Sequence, residues 1–345
     1  MSRVWTIWFP CCAIDRVPDR NERAFVSEIE STDVSFVAEC YEALRREVGR
    51  IVIGQDDALR QIFITLLVGG HSLVEGVPGV AKTLLVRTLA NAVALQFGRI
   101  QFTPDLMPSD ILGTSILDQA RREFKFRKGA IFSELLLADE INRAPAKTQS
   151  ALLEAMQEGK VTVDGVRHSM SEFFTVFATQ NPVEQEGTYP LPEAELDRFL
   201  FKILIDYPSE EDERTLLERH HDGTAVEAVG LSVLDPDAIS KARRIVAGVT
   251  VSDEIIAYVG ELVRATRGDF QYALGASPRA GLLLLRAAKA EAVLEGRHFV
   301  LPEDVQQIWA PALRHRIMLD PGLEVEGQTA DAALERTLRG VTVPR

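Results

Sequence analysis

The stretch Gly76, Val77, Pro78, Gly79, Val80, Ala81, Lys82, Thr83 joins strand-like Ser72-Leu73-Val74-Glu75 to a helical pattern that buries Leu85, Leu89 and Val93. A glycine-rich turn between a strand and a helix, closing on Lys-Thr, is suited to phosphate. Backbone N–H groups and the helix N-terminus would hold a β-phosphate, Lys82 would reach the β/γ oxygens, and Thr83 would ligate Mg²⁺. Ala81 stands where the motif has its second glycine, and it fits if its φ is negative, as at a helix start. Leu135-Leu136-Leu137-Ala138 runs into Asp139-Glu140. This order suits an Asp that holds the Mg²⁺ shell and a Glu that orients the attacking water. The other reading is a polar strand end capping the next helix.

Three further residues could act at the same centre. Asn181 follows the apolar stretch Phe174 to Thr179, where it could position water or sense a γ-phosphate; an Asn-Pro turn is the alternative. Arg198, in Glu195-Leu196-Asp197-Arg198-Phe199, could be a finger given to a neighbouring subunit, or a salt bridge to Asp197 or Glu195. Arg279 follows Ser277-Pro278, an N-cap and first-turn proline, and could bring a guanidinium to the phosphates; by local sequence alone it reads as a solvated first-turn residue. The histidines assemble no Ser-His-Asp or Cys-His set, and His220-His221 reads as solvated.

These residues need a scaffold that brings strand ends together. Apolar stretches at 72–75, 99–102, 135–138, 173–179 and 201–205 alternate with helical patterns, which predicts βαβ units and an α/β sheet; the 135–138 run suits a strand buried on both faces. Two inserts interrupt the rhythm. Residues 104–129 suggest a small hairpin, and Lys160–Val163 and Val166–His168 flank Asp164-Gly165, a two-residue hairpin turn. The chain divides into an irregular extension over 1–33, a core over 34–207, an acidic linker over 208–236, a lid over 237–320 and a tail over 321–345. The lid pattern is four helices without a strand, near 237–248, 252–267, 278–295 and 303–317. The tail shows no clear core face.

Of 345 residues, 46% are apolar and 26% charged, with 38 Lys and Arg against 51 Asp and Glu and a net charge of −13. Disorder and low complexity are excluded by that balance. The acidic sum argues against nonspecific nucleic-acid or membrane binding. Three cysteines without metal spacing fit a reducing cytosol and a cytoplasmic location. The longest apolar run, Val4 to Ile14, is too short for a membrane-spanning helix of about 20 residues.

The stretches Gly76 to Thr83, Leu136 to Glu158, Ala178 to Pro182, Leu191 to Phe199 and Ser277-Pro278-Arg279 together resemble the AAA+ ATPases, specifically the MoxR family. The likeness spans about residues 34 to 318. It implies a P-loop NTPase domain with a five-stranded parallel sheet, a small all-α lid, and the inserts shared with magnesium chelatase and replicative helicases. By resemblance, Lys82 and Thr83 belong to Walker A, Asp139 and Glu140 to Walker B, Asn181 to sensor 1 and Arg279 to sensor 2. Arg198 takes the place of the finger, and Ile53, Gly54 and Gln55 that of the loop that contacts adenine. The implied activity is Mg²⁺-dependent ATP hydrolysis in a ring, expected to be a hexamer, that acts as a chaperone-like remodeller. A von Willebrand factor A domain protein and a client complex are the implied partners. Alternatives are a nucleotide-dependent assembly switch, which would have no need of Glu140, and a chelatase-type motor subunit. A nucleic-acid motor finds support in the inserts shared with helicases and in Lys160, Arg167 and His168 on the hairpin, and is opposed by the acidic balance and the lack of a recognisable DNA-binding module.

Overall fold

The computed structural model describes residues 31–77, 79–119, 122–181, 188–221 and 233–344. The first thirty residues of the expected extension, Pro78, and residues 222–232 of the expected linker lie outside the described residues.

Apolar side chains at helical spacing start the ordered chain. Helix α1 (Ser31–Val48) buries Val34, Val37, Tyr41, Leu44 and Val48, and α2 (Asp56–Val68) buries Leu59, Ile62, Phe63, Leu66 and Leu67. Strand β1 (Ser72–Gly76) leads through the glycine-rich turn into α3 (Lys82–Ala92), and β2 (Phe97–Gln101) follows. After α4 (Pro108–Leu112), β3 (Gly113–Asp118) and β4 (Glu123–Lys128) form the first insert hairpin. Strand β5 (Leu135–Asp139) is buried along its whole length, and α5 (Ala146–Glu158) follows. The second hairpin pairs β6 (Lys160–Val163) with β7 (Val166–Ser169). Its turn residues Asp164 and Gly165 both have positive φ, 51° and 79°, as a type I′ turn demands. Then come β8 (Thr175–Gln180), α6 (Glu193–Leu196) and β9 (Phe201–Ile205).

The five core strands form one parallel sheet in the order β2-β5-β8-β1-β9. Alternation along β5 explains why its sequence is apolar without a break. Leu135 and Leu137 join the packing of α1, α2 and α3, whereas Leu136 and Ala138 join Leu152, Leu153 and Met156 of α5. A strand covered on both faces has no polar side to show.

The segment expected to be a linker holds a helix, α7 (Glu210–His221). Ser209 Oγ accepts from the Asp212 N–H at 3.2 Å, and Arg219 donates to the Arg50 carbonyl at 2.7 Å, which ties α7 to the end of α1. The lid comprises α8 (Pro236–Ala247), α9 (Asp253–Gly268), α10 (Pro278–Leu294) and α11 (Pro302–Leu313). It is not strand-free: β10 (Tyr272–Leu274) pairs antiparallel with β11 (Met318–Leu319). The tail also differs from expectation. After α12 (Pro321–Val325), α13 (Ala330–Gly340) buries Ala333, Leu334 and Thr337. Trp309 Nε1 donates to the Leu334 carbonyl at 3.0 Å, and Tyr272 and Thr337 hydroxyls pair at 2.6 Å. The apolar set 330, 333, 334 and 338 has the i, i+3, i+4, i+8 spacing of a packed helix, so the tail completes the lid. Among the described residues no helix is long and apolar enough to cross a membrane.

Candidate functional site

The turn from β1 to α3 is shaped by close backbone packing. A Cβ on Gly76 would lie 2.4 Å from the Ile205 carbonyl, so only glycine lets β1 run this close to β9 at its exit. Gly79 has φ +89° and open space where a side chain would stand, which leaves the crest of the turn clear for a ligand to approach. Ala81 is the N-cap of α3 with φ +62° and ψ +22°. The expectation of a negative φ there is therefore corrected: the backbone needs the left-handed region at this position, and Ala81 adopts it at a steric cost. Val77 is half-buried and Val80 buried beneath the loop. Lys82 Nζ donates to the Gly76 carbonyl at 2.6 Å and the Gln180 carbonyl at 3.4 Å, so its ammonium bridges the ends of β1 and β8. Thr83 is half-buried one residue further into α3.

Two strands away, Asp139 is buried at the C-terminal end of β5. Thr179 Oγ1 donates to Asp139 Oδ1 at 2.5 Å, and Arg99 donates to Oδ2 through Nη2 at 2.7 Å and Nε at 3.2 Å. The next residue leaves the sheet abruptly: Glu140 has φ +56° and ψ +50°, and its N–H donates to the same Thr179 hydroxyl at 2.9 Å. That left-handed turn carries its carboxylate to Gln101 Nε2 at 2.8 Å and Arg143 Nε at 3.0 Å. Strain of this kind gathers where a side chain must be aimed rather than packed. Asn181, buried, follows β8 and lines a cleft of about 260 Å³ with Glu75, Asn142, Gln180 and Thr188. Lys82, Asp139, Glu140 and Asn181 thus converge at the C-terminal ends of β1, β5 and β8, the edge where open parallel sheets bind ligands. One ammonium, one hydroxyl and a carboxylate on neighbouring strand ends, beside an uncovered glycine turn, form a donor set that fits a nucleotide phosphate with Mg²⁺.

Arg99, Gln101 and Thr179 were missed by sequence reasoning. For Gln101 and Thr179 the signal available was their position, polar side chains at or next to the carboxyl ends of β2 and β8; Arg99, in the middle of β2, carried no such signal.

Arg198 is half-buried, and neither candidate salt-bridge partner takes it. Asp197 accepts from Arg316 Nε at 2.9 Å and from Ser277 Oγ at 3.0 Å, and Glu195 accepts from Ser150 at 3.4 Å. Among the described residues no carboxylate lies within ion-pair distance of Arg198. Arg279 is half-buried in the first turn of α10, where Ser277 caps by accepting from the Ala280 N–H at 3.2 Å. It is therefore partly shielded rather than fully solvated, and its positive charge adds to the burial that lowers the proton affinities of His71 and Arg316. The loop Ile53-Gly54-Gln55 is held from both sides. Gly54 has φ +74° and a Cβ there would strike Asp212 of α7 at 2.6 Å, while Gln55 Nε2 donates to the Asp206 carbonyl at 3.2 Å. Helix α7, in the segment expected to be a linker, thus packs directly against this loop.

The two insert hairpins touch. Phe126 of β4 stacks on His168 of β7 with centroids 4.1 Å apart, and Phe132 meets both rings edge-on. Ile116, Leu117, Phe124 and Val166 on the same hairpins are exposed.

Residues 71–201 match the ATPase family associated with various cellular activities (AAA), and residues 264–337 match the AAA lid domain. The chain is 46% identical over 297 residues to the Bacillus subtilis protein YeaC, which covers 86% of this chain and 92% of that one. It is 44% identical over 308 residues to Chaperone MoxR1 of Mycobacterium tuberculosis (87% and 81%), and 33% identical to Protein MoxR of Paracoccus denitrificans (82% and 90%). A crystal structure of a Cytophaga hutchinsonii protein superposes with a TM-score of 0.84 at 41% identity, covering 91% of this chain and 98% of that one. With the phosphate loop, the two acids and the lid all in place on such a scaffold, this chain belongs to the MoxR family of AAA ATPases.

Proposed function

We propose that the protein hydrolyses ATP with Mg²⁺ at sites shared between the subunits of a ring, and uses the resulting movement to remodel other protein complexes. The observation that carries this reading is the convergence of Lys82, Asp139, Glu140 and Asn181 at one sheet edge, linked by Thr179 and by the Gly76 and Gln180 carbonyls. Lys82 and the N–H groups of the Gly76–Thr83 turn would bind the phosphates. Thr83 and Asp139 would hold Mg²⁺, which supplies charge neutralisation of the β- and γ-phosphate oxygens. Glu140, aimed by its left-handed backbone, would orient the attacking water, and Asn181 would hold that water or the terminal phosphate. Arg279 would draw the lid toward the phosphates, and the loop at Ile53, Gly54 and Gln55 would hold adenine. Arg198, half-buried with no carboxylate partner among the described residues, suits a guanidinium whose counter-charge arrives from a neighbouring subunit's nucleotide.

The chaperone designation of a 44% identical relative supports a client protein complex as the target, and a hexamer with a von Willebrand factor A domain partner is the assembly we infer. The joined hairpins, with exposed apolar residues, would carry force to that client. We place this role in the cytoplasm, on the reading of its three unpatterned cysteines as suited to a reducing compartment.

The test is ATP turnover per subunit across protein concentrations, with Arg198→Ala beside wild type. Activity that rises with concentration in wild type and stays low and flat in the variant supports a shared site. Nucleotide binding without turnover in wild type would leave the assembly switch as the better account.

A further inference from the structure

The residues after α11 do not run free. Arg316 is buried with its side chain almost wholly out of solvent, and it faces the segment that carries Arg198. Its Nε donates to Asp197 Oδ1 at 2.9 Å, Nη2 to the Asp197 carbonyl at 3.2 Å and Nη1 to the Leu200 carbonyl at 3.0 Å; the Phe199 and Ala312 carbonyls are further acceptors. His315 Nε2 lies 3.1 Å from the Phe199 carbonyl, and Arg314 Nη1 donates to the Lys202 carbonyl at 3.2 Å. Three consecutive lid residues therefore grip the backbone from 197 to 202. From the other side, Ser277 Oγ donates to both Asp197 oxygens, at 3.1 and 3.0 Å, while capping the helix whose second residue is Arg279.

A guanidinium with five donors in a planar fork suits such multiple acceptors and fixes them more rigidly than an ammonium could. Burial pushes Arg316 down to about 10, still well above neutrality, so the cation persists. The Asp197 carboxylate thus joins two lid elements, Ser277 with its helix cap and Arg316, and its backbone leads straight into Arg198. A finger acts only when its guanidinium is placed to within a fraction of an ångström, and a 1 Å misplacement can cost about 10²-fold in rate.

We propose that Arg316 and Ser277, acting through Asp197, are positioning residues for Arg198, so that the lid of one subunit sets turnover in the next. The proposal rests on the reading of Arg198 as a residue given to a neighbouring subunit. It extends that reading: a lid drawn in by nucleotide at Arg279 shifts Ser277, and with it the finger offered to the adjacent site.

The experiment uses full-length Asp197→Asn, Arg316→Lys and Arg198→Ala, each measured alone and then co-assembled with an equal amount of Glu140→Gln. Glu140→Gln subunits keep Lys82 and Arg198 but lack the water-orienting acid. Alone, Asp197→Asn and Arg316→Lys are expected to bind a fluorescent ATP analogue within about twofold of wild type and to turn over on the order of 10²-fold more slowly. Co-assembled, both should regain turnover, as Arg198→Ala should, because Glu140→Gln neighbours supply a correctly placed finger to their intact Lys82, Asp139 and Glu140. Asp197→Asn preserves shape, so it decides the matter if Arg316→Lys does not fold. Wild-type turnover in Asp197→Asn overturns the proposal. Recovery by Arg198→Ala but not by Asp197→Asn or Arg316→Lys also overturns it, and leaves the shared site standing. If Arg198→Ala does not recover either, the shared-site reading fails, and this proposal with it.

Discussion

Ala81 offers a quantitative test of how the phosphate loop is built. At φ +62° its Cβ crowds the following carbonyl, and the left-handed region costs an L-residue about 1–2 kcal/mol. Ala81→Gly removes that cost but frees the unfolded chain, which takes back about 0.4–1 kcal/mol. The difference leaves a net stabilisation of about 0.5–1 kcal/mol, or roughly 2 °C in Tm for a domain of this size. Ala81→Val should move the other way, because a β-branched residue at positive φ is more strained than Ala. Thermal melts of the three chains should therefore order Gly above Ala above Val. Nucleotide affinity adds a second readout: if the loop keeps the same backbone when occupied, the Kd of Ala81→Gly stays within about twofold of wild type, or about 0.4 kcal/mol. A lower Tm for Ala81→Gly, or a Val variant as stable as wild type, would refute the assignment of strain to this residue.

Gly76→Ala should lose nucleotide binding by at least about tenfold and lower Tm, because the new methyl meets the Ile205 carbonyl at 2.4 Å and β1 must shift; isothermal titration and a melt read both. Stability should fall as pH drops from about 6.5 toward 4. His71, neutral in its buried site, accepts from the Val176 N–H at 3.0 Å and has its pKa lowered to about 4 by burial, so the unfolded chain takes up a proton that the folded one refuses. His315 adds to the same slope in the same direction, and denaturant midpoints across that pH range should flatten in part in His71→Gln. Phe126→Ala removes the ring stacked on His168, and should lower hydrogen-exchange protection across residues 160–169 while leaving nucleotide affinity unchanged; protection equal to wild type would show that the hairpins are not joined there.

Local chemistry made most of this molecule legible before its structure. The apolar run at 135–138, the Asp164-Gly165 turn and the Ser277-Pro278 cap are each decided within a few residues, and each forms where expected. Ala81 shows the limit of such reasoning: its place at a helix start suggested a negative φ, yet the turn reverses direction so tightly that the residue before Lys82 must be left-handed. The tail helix was readable from Ala330, Ala333, Leu334 and Leu338, but the short acidic and basic residues between them hid a face that only Trp309 and Tyr272 define. Helix α7 was hidden for a related reason: its sequence is strongly polar, and it is held largely by single polar contacts such as Arg219 to the Arg50 carbonyl.

What sequence could least disclose is the coupling between distant stretches. Arg99 meets Asp139 across 40 residues and Arg316 meets Asp197 across 119, and no spacing rule spans such distances. Arg99 has no acid within four residues to explain it, and Arg316 has Asp320 four residues on yet pairs with Asp197 instead. The two pairs also differ in what their burial implies. Arg99 remains about half exposed, so solvent screens its attraction and the pair is free to rearrange when a cation competes for Asp139. Arg316 is enclosed, and loss of one partner would strand a buried charge. Asp139 is thus held by a partner that solvent reaches, and Asp197 by one that is enclosed, which is the arrangement our proposal requires: a phosphate site at Asp139 that responds to its ligand, and an Arg198 that moves only as the lid moves.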